Sequence, residues 1–468
     1  MAQLSLPGRR GPDPGLIDGA SVAIDALPEG PRGVLAALAE AGHEAALVGG
    51  CLRDLLRGES PDDWDVATAA LPEQVSALLA GSSWENRFGT VIVPGPVPVE
   101  VTTYRSESTY SDRRRPDDVT FHGSLAGDLA RRDFTINAIA WLPDRPGATA
   151  GRLVDPHGGL ADLRAGRIRA VGAAEDRFAE DALRVLRGVR FALRFDFEIE
   201  PATEAALAGA VPLTRGLSGE RVRDELLRLL GDAAIAPSAA IERWERLGLL
   251  GALVPELAAL RGVPQNKPRG GDALDHAAWT ADALPARDAV LRLAGLLHDL
   301  GKAETLAGGH FIGHEVVGAQ LAEEVMRRLR FGGREIARVR HLVRQHMFAY
   351  DAGWTDAAVR RFIVRVGHAA LDDLFTLRHA DNAASGVAEP DSGGLDELRR
   401  RIAGQKAAPM AHRQLAVDGH DLQRELGIEP GPEIGRLLHR LLDAVVEDPG
   451  LNDRERLLDL ARETRAAR

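Results

Sequence analysis

Asp63 and Asp65, in Asp63-Trp64-Asp65, have the types and spacing to do chemistry. In an extended segment, period-two alternation puts both carboxylates on one face, with Trp64 and Val66 on the other. Carboxylates so placed can share hard divalent cations, which take oxygen ligands. Just upstream, Gly49-Gly50 forms a turn whose bare backbone N–H groups could approach a phosphate. Together the two stretches support a metal beside a phosphate. Taken alone, an Asp-x-Asp on a strand reads equally well as a solvent-facing pair. A second set lies between His276 and Asp381, which holds 8 of the chain's 14 histidines and the adjacent pair His298-Asp299. Neighbouring imidazole and carboxylate on a helix suit a divalent metal whose other ligands come from distant parts of the chain.

These residues need elements to hold them. Ala45 to Val48 reads as a short buried strand ending at Gly49-Gly50, and Leu52 to Leu56 as a helix with Arg53 and Asp54 in its first turn. Asp62 to Ala67 is the acidic strand, and Pro72 opens another helix at a position suited to proline. Gly89 to Val93 and Val97 to Tyr104 read as strands around a Pro/Gly turn. In the second, the valines share a face, which leaves Glu100 and Thr102 on the other. Glu100 is then either a third acidic group beside the Asp pair or an outward-facing carboxylate. Arg105 to Gly123, with Arg113-Arg114-Arg115, reads as a mobile polar loop. From about Glu175 the pattern is helix after helix. Asp181, Arg184 and Arg187 lie along one polar side of the first, at i, i+3 and i+6. Arg261 to Gly271 is a Pro/Gly-rich linker.

Length and composition set limits. The chain has 468 residues, 45% hydrophobic and 27% charged, as expected of two to four globular domains. No apolar run approaches a membrane span, and Met1 to Pro31 lacks the apolar core of a signal peptide. One cysteine, Cys51, excludes an internal disulfide and fits a reducing cytoplasm. A net charge of −11 argues against general polyanion binding but leaves room for a local basic strip. Lys267, Lys302 and Lys406 are the only lysines against 55 arginines, which reads first as genome composition bias.

Several stretches, in order, resemble the nucleotidyltransferase head of the class II CCA-adding and poly(A) polymerase family, within the polymerase-β superfamily. They are Leu47 to Leu56, Asp62 to Thr68, Arg87-Phe88-Gly89-Thr90, Glu100 to Arg105, Arg131 to Ala138 and Glu180 to Arg184. The resemblance implies that Asp63 and Asp65, with Glu100 as a candidate third member, are catalytic and hold two Mg²⁺ ions. One ion would activate an RNA 3′-hydroxyl and the other would neutralise the triphosphate during in-line displacement of pyrophosphate. Gly49, Gly50 and Arg53 would contact triphosphate, and Arg132, Asp133 and Asn137 the ribose and its 2′-hydroxyl. Asp181 and Arg184 would read the base, with Arg187 among the nucleotide-binding residues. A carboxylate accepts from an exocyclic amine, and a guanidinium donates to a ring nitrogen or carbonyl. Cytosine and adenine both present an amine beside a ring-nitrogen acceptor, and guanine and uracil the reverse. One Asp/Arg pair can therefore accept CTP and ATP and refuse GTP and UTP. As a plain surface ion pair, Asp181/Arg184 would add only about 0.2–0.5 kcal/mol to a helix.

His298-Asp299-Leu300-Gly301-Lys302 resembles the HD phosphohydrolase superfamily. In that pattern His276, His298, Asp299 and Asp381 are metal ligands, and His314 and His346 match the further histidines of members with a fuller site. The metal there is a divalent ion of unspecified identity. The expected fold class is α+β: a small polymerase-β-like α/β head followed by all-helical neck, body and HD domains. The expected division is a disordered lead-in over 1–30, head 31–150, neck 151–215, tRNA-binding body 216–272, HD domain 273–383 and a C-terminal helical region 384–468. The implied activity is template-independent addition and repair of the 3′-terminal CCA of tRNA from CTP and ATP, in the cytoplasm, with a possible HD phosphohydrolase activity. Poly(A) polymerase and CC- or A-only addition share the same head. An HD-type metal phosphohydrolase with a nucleotide-binding head is the alternative from another class.

Overall fold

The computed structural model describes residues 2–3, 17–25, 27–84, 89–108, 118–121, 123–386, 394–405 and 408–466. The chain divides into two compact units, Met1–Pro255 and Glu256–Arg468.

The first unit is built on a nine-stranded mixed sheet. At its centre Trp64–Thr68 pairs antiparallel with Ala45–Val48 and parallel with Val99–Thr103. All four residues of Ala45–Val48 are buried, as a strand covered on both faces requires. In Val99–Thr103 the two valines are buried and Glu100 is exposed, so a one-residue slip would bury a carboxylate. The register places Asp65 opposite Glu100 and Val48 opposite Asp65. The helix Gly49–Leu56 starts directly from the strand. Gly49 makes that corner possible: its φ is 76°, and a Cβ would lie 2.8 Å from Asp65 Oδ2 and 2.9 Å from Arg132 Nη1.

Several sequence expectations need correction. Ser21–Ala23 is not a structureless lead-in: it pairs with Ala150–Val154, and the Val22 carbonyl accepts from Trp141 Nε1 at 3.1 Å. That pairing covers a strand edge otherwise left open. The helix expected at Leu52 begins three residues earlier, at Gly49. Asp63 lies in a bend before the strand and is exposed, so it does not share a pleat with Asp65. Arg105–Ser108 and Asp118–Phe121 form an antiparallel ribbon where a loop was expected. Arg113-Arg114-Arg115, Arg87 and Phe88 lie outside the described residues. Asp181 is extended, at φ −146° and ψ 101°, between the helices Ala174–Glu180 and Leu183–Phe195. It therefore lies at a break, not one turn before Arg184 on a continuous helix.

The second unit is helical. His276 is on Ala273–Asp282, His314 opens His314–Arg328, His346 caps Gly333–Gln345 and Asp381 is on Leu371–Ala384. His298 and Asp299 are not within a helix. They form the turn between Ala289–Leu297 and Lys302–Thr305. Gly301 lets the helix His314–Arg328 approach this turn, because a Cβ there would lie 2.2 Å from the His314 carbonyl oxygen. The last helices bury Leu422, Leu441, Val445 and Leu457 in a small core. Arg360 closes the end of Pro432–Glu447, donating to the carbonyls of Val446 at 2.6 Å and Glu447 at 2.8 Å.

The turn Thr135–Asn137 rests on the helix Gly159–Ala165. Thr135 Oγ1 donates to Asp162 Oδ2 at 2.6 Å, and a Cβ on Gly159 would lie 2.0 Å from the Thr135 carbonyl oxygen. Gly159→Ala should therefore overpack the contact and destabilise the first unit by about 1–3 kcal/mol. Thermal unfolding followed by circular dichroism checks this; an unchanged melting temperature would show that the contact is not close.

Candidate functional site

Twelve residues nominated from the sequence of the first unit line one cavity of about 1000 Å³. They are Gly49, Gly50, Arg53, Asp63, Asp65, Glu100, Arg132, Asp133, Asn137, Asp181, Arg184 and Arg187. Nine arginines line the same space, which makes a local polyanion site despite the net charge of −11. The N-terminus of Gly49–Leu56 opens into it with backbone N–H groups unpaired by the helix.

A buried polar chain holds the walls together. The Arg53 guanidinium forks onto Asp54, with Nε to Oδ1 at 2.8 Å and Nη2 to Oδ2 at 3.0 Å, and donates from Nη1 to Asn137 Oδ1 at 2.7 Å. Asn137 Nδ2 donates to Asp133 Oδ1 at 3.1 Å, and Arg187 Nε donates to Asp133 Oδ2 at 2.8 Å. Arg190 continues it to Glu225 at 2.7 Å. Burial alone would raise the Asp133 carboxyl, but the Arg187 guanidinium and the Asn137 hydrogen bond outweigh it and hold it at about 2. The Arg53 guanidinium lies 4.7 Å from the Phe195 ring centroid and 5.3 Å from that of Phe191. Arg53 is therefore first a structural cation, with three of its nitrogens engaged by protein.

The acidic end is the opposite case. Burial raises Asp65 to about 6, and the charges of Glu100 and Asp63 add to this against the relief from Arg132. Carboxylates crowded in this way invite a cation. Glu100 is exposed on the same sheet face as Asp65. Asp63, Asp65 and Glu100 do not converge as a three-ligand cluster among the described residues. Two of them fit a magnesium site completed by substrate, since Mg²⁺ is commonly held by one or two carboxylates plus phosphate oxygens.

Asp181 and Arg184 both line the cavity, and the Arg184 N–H donates to the Asp181 carbonyl at 3.1 Å. Asp181 accepts from Arg221 Nη2 at 2.7 Å and from the Leu183 N–H at 3.0 Å. Arg184 is oriented by Glu180 Oε2 at 2.9 Å and the Arg131 carbonyl at 2.8 Å.

In the second unit all six nominated ligands converge. Asp299 lies between two nitrogen sets. Its Oδ2 is 3.1 Å from His298 Nε2 and 3.7 Å from His276 Nε2. Its Oδ1 is 3.4 Å from His314 Nε2 and 3.7 Å from His346 Nε2. Asp381 Oδ1 is 3.0 Å from His276 Nε2. His298, His314 and His346 each donate Nδ1–H to the carbonyl three residues earlier, at 2.7 Å, which turns every Nε2 lone pair inward. Burial lowers His276 to about 4, so it is neutral and able to ligate. Asp299 stays ionised: burial opposes this, but His298 and Lys302 hold it well below the usual range. His298 Nε2 is buried with no hydrogen-bond partner, 3.1 Å from Asp299 Oδ2, which pairs with Lys302 Nζ at 2.7 Å. A buried orphan ligand atom among such donors is what a metal satisfies, and the donor set fits one.

Some contributors were not foreseen. Asp128 is fully buried and grips both Arg131 and Arg132 from three and four residues upstream. That i, i+3 and i, i+4 spacing is legible in the sequence. Glu225 shows a local i, i+3 pair with Arg228, but nothing local points to Arg187 and Arg190, which it also receives. Lys267 and Lys302 enter the histidine cluster, and their rarity in the chain was the available sign.

Comparison with known proteins adds the following. Residues 45–169 match the Poly A polymerase head domain, 196–260 the model described as "Probable RNA and SrmB-binding site of polymerase A", and 272–384 the HD domain. The chain is 35% identical over 430 residues to an A-adding tRNA nucleotidyltransferase of Deinococcus radiodurans, covering 86% of this chain and 91% of that one. It is 32% identical over 442 residues to a CCA-adding enzyme of Lactiplantibacillus plantarum, covering 92% and 94%. Among solved structures, the Bacillus stearothermophilus CCA-adding enzyme in complex with CTP aligns with a TM-score of 0.66 at 28% identity, covering 94% and 98%. A Thermotoga maritima CCA-adding enzyme complexed with tRNA shares the fold, with a TM-score of 0.53 at 22% identity over 93% and 94%.

The raised Asp65 carboxyl has a consequence for stability. Its folded value of about 6 lies above the ordinary 3.8. Between those values the native state binds the proton more than the unfolded state does, so stability falls as pH rises from about 4 to about 6. Asp65→Asn should therefore melt higher than the parent at pH 7.5 in chelator, by up to about 3 kcal/mol, with the gain vanishing near pH 4. Equal melting at pH 7.5 would remove the charge crowding at Asp65.

Proposed function

The chain belongs to the CCA-adding tRNA nucleotidyltransferase and poly(A) polymerase family, and from that premise we propose that it adds and repairs the 3′-terminal CCA of tRNA from CTP and ATP. The observation that carries the reading is the convergence of all twelve nominated head and neck residues on one arginine-rich cavity. Two Mg²⁺ ions held by Asp63, Asp65 and triphosphate oxygens would neutralise charge at the phosphorus and lower the pKa of the attacking 3′-hydroxyl. The chain's own residues do the rest. The N-terminal N–H groups of Gly49–Leu56 receive phosphate oxygens. Arg132, pinned by Asp128 and the Asn137 carbonyl, brings a positive charge over the same corner. Asp133 and Asn137, held by Arg187 and Arg53, present the polar edge that selects a ribose.

Asp181 and Arg184 read the base. Their separate anchors fix an acceptor and a donor at a set spacing, which suits the amine and ring nitrogen that cytosine and adenine share. Each well-made bidentate contact contributes about 1–3 kcal/mol of discrimination. We assign the head to 31–150, the base-reading neck to 151–215, the tRNA-binding body to 216–272 and the HD domain to 273–383. The reaction is placed in the cytoplasm; no described helix is long and apolar enough to cross a membrane. The Deinococcus relative, an A-adding enzyme, favours a second reading in which this chain adds only the terminal A. The six-ligand centre is read as a metal-dependent phosphohydrolase for phosphate monoesters or for 2′- and 2′,3′-cyclic phosphates on RNA ends.

Truncated tRNA supplied with CTP, ATP, both or neither, followed by sequencing of the product ends, separates these readings. CCA ends require both nucleotides, whereas extension of only those tRNAs that end in CC identifies A-addition. Asp63→Ala and Asp65→Ala should each lower incorporation at least about a thousandfold; near-normal rates would refute the head assignment. Arg184→Ala should reduce the preference for CTP and ATP over GTP and UTP by about tenfold or more. For the second centre, His298→Ala should abolish metal-dependent phosphatase activity and leave nucleotide addition intact.

A further inference from the structure

Two of the chain's three lysines, Lys267 and Lys302, stand among the ligands of the histidine–aspartate centre. A chain with 55 arginines keeps lysine at these two places. The chemical difference is that an ammonium is a compact point charge, able to enter a cluster of ligand atoms that a planar guanidinium would overfill. Lys267 Nζ lies 2.6 Å from His276 Nε2 and 3.1 Å from Asp381 Oδ1. Both atoms belong to one of the two ligand groups of the centre, His276 with His298 and Asp381. The imidazole nitrogen has one lone pair, so it serves the ammonium or a metal but not both.

Lys267 is also held in place. The strap that carries it is closed by the Pro264–Asp272 bridge, and the Arg269 N–H donates to the Ser385 carbonyl at 3.2 Å, four residues beyond Asp381. Lys302 Nζ is 2.7 Å from Asp299 Oδ2 and donates to Gln265 Oε1 of the same strap at 3.1 Å. The opposite face of Asp299 differs. There Oδ1 faces His314 and His346, whose Nε2 atoms are 3.3 Å apart. Among the described residues the ion pairs and hydrogen bonds of Lys267 and Lys302 go to His276, Asp381, Asp299 Oδ2 and Gln265, and Arg378 pairs with Asp381 Oδ2 at 3.2 Å; none of these goes to His314 or His346.

Resting on the reading of this centre as a metal site, we propose that it loads in a fixed order. The first ion enters at Asp299 Oδ1, His314 and His346. The second enters at His276, His298 and Asp381, where Lys267 competes for the same lone pairs and sets the metal concentration at which the position fills.

The test is Mn²⁺ titration by calorimetry and electron paramagnetic resonance on the full chain, with Asp63→Ala and Asp65→Ala present to silence the head and circular dichroism to confirm folding. Two classes of site are expected. Lys267→Met should tighten the weaker class by about tenfold to a hundredfold, the range represented by loss of a charge-assisted hydrogen bond, and leave the tighter class unchanged. Lys267→Arg, which retains the charge, should not tighten it. Asp381→Asn should remove only the weaker class, and His346→Gln only the tighter one. The order is overturned if Lys267→Met leaves both classes unchanged or weakens either, or if Asp381→Asn removes the tighter class. Absence of any Mn²⁺ binding would instead overturn the reading of the centre itself.

Discussion

The buried chain Arg53–Asn137–Asp133–Arg187 is the interaction on which the nucleotide cavity depends. It joins a helix at residues 49–56, a turn at 135–137 and a helix at 183–195, which are remote in sequence and also meet through the Phe191 ring, which packs on Phe134 and lies under Arg53. Arg53, Asn137 and Asp133 are buried and Arg187 is partly exposed, and each charge has a partner. Removing one side chain would leave an uncompensated buried charge, a change of about 3–5 kcal/mol. That asymmetry is what makes such a network rigid. Any loosening exposes a penalty larger than the net gain of forming the pair, so the wall positions move together or not at all. Arg53 thus acts on nucleotide through what it holds. Two of its nitrogens hold Asp54, and the third fixes the amide of Asn137 so that its NH₂ group faces Asp133.

The two sites solve opposite electrostatic problems. The head cavity must attract a triphosphate, and it surrounds a few carboxylates with nine arginines, each anchored by an acid such as Asp128, Glu180 or Glu225. The anchoring acids cancel net charge but leave the arginine edges directed into the cavity. A total of −11 therefore says nothing about this surface. In the histidine–aspartate centre the ligands are imidazoles and two carboxylates held ionised well below their usual range. Lys267 and Lys302 supply balancing charge there, together with Arg378, which pairs with Asp381 Oδ2 at 3.2 Å.

Local pattern made much of this legible. The Asp-x-Asp, the Gly-Gly corner and the His-Asp pair are short, and the fold brings each into a shared cavity or ligand cluster, because spacing of one or two residues survives errors in element boundaries. The errors fell where tertiary packing overrides local rules. Asp181 sits on a polar stripe at helical spacing, yet the chain breaks there, because its carboxylate is taken by the Leu183 N–H and by Arg221 from a later helix. Asp63 reads as a strand residue by alternation, but the strand starts only at Trp64, the first buried side chain. Glu225 reads from the sequence only as a local partner of Arg228; Arg187 and Arg190 are more than thirty residues away and only the fold brings them to it.

Gly49 shows how one residue answers to two demands that sequence alone merges into one. A Gly-Gly turn before a helix reads as a phosphate cradle, where the missing side chain admits a ligand. Packing adds a separate requirement: Asp65 Oδ2 and Arg132 Nη1 both approach the position a Cβ would take, and the backbone there is left-handed. Alanine at this position would be strained before any nucleotide arrives, by about 1 kcal/mol or more from the backbone alone. It would also push apart the carboxylate and the guanidinium whose proximity offsets part of the burial at Asp65. The glycine is therefore required by the packing of Asp65 itself, and the close approach of Asp65 to the helix N-terminus follows from that corner.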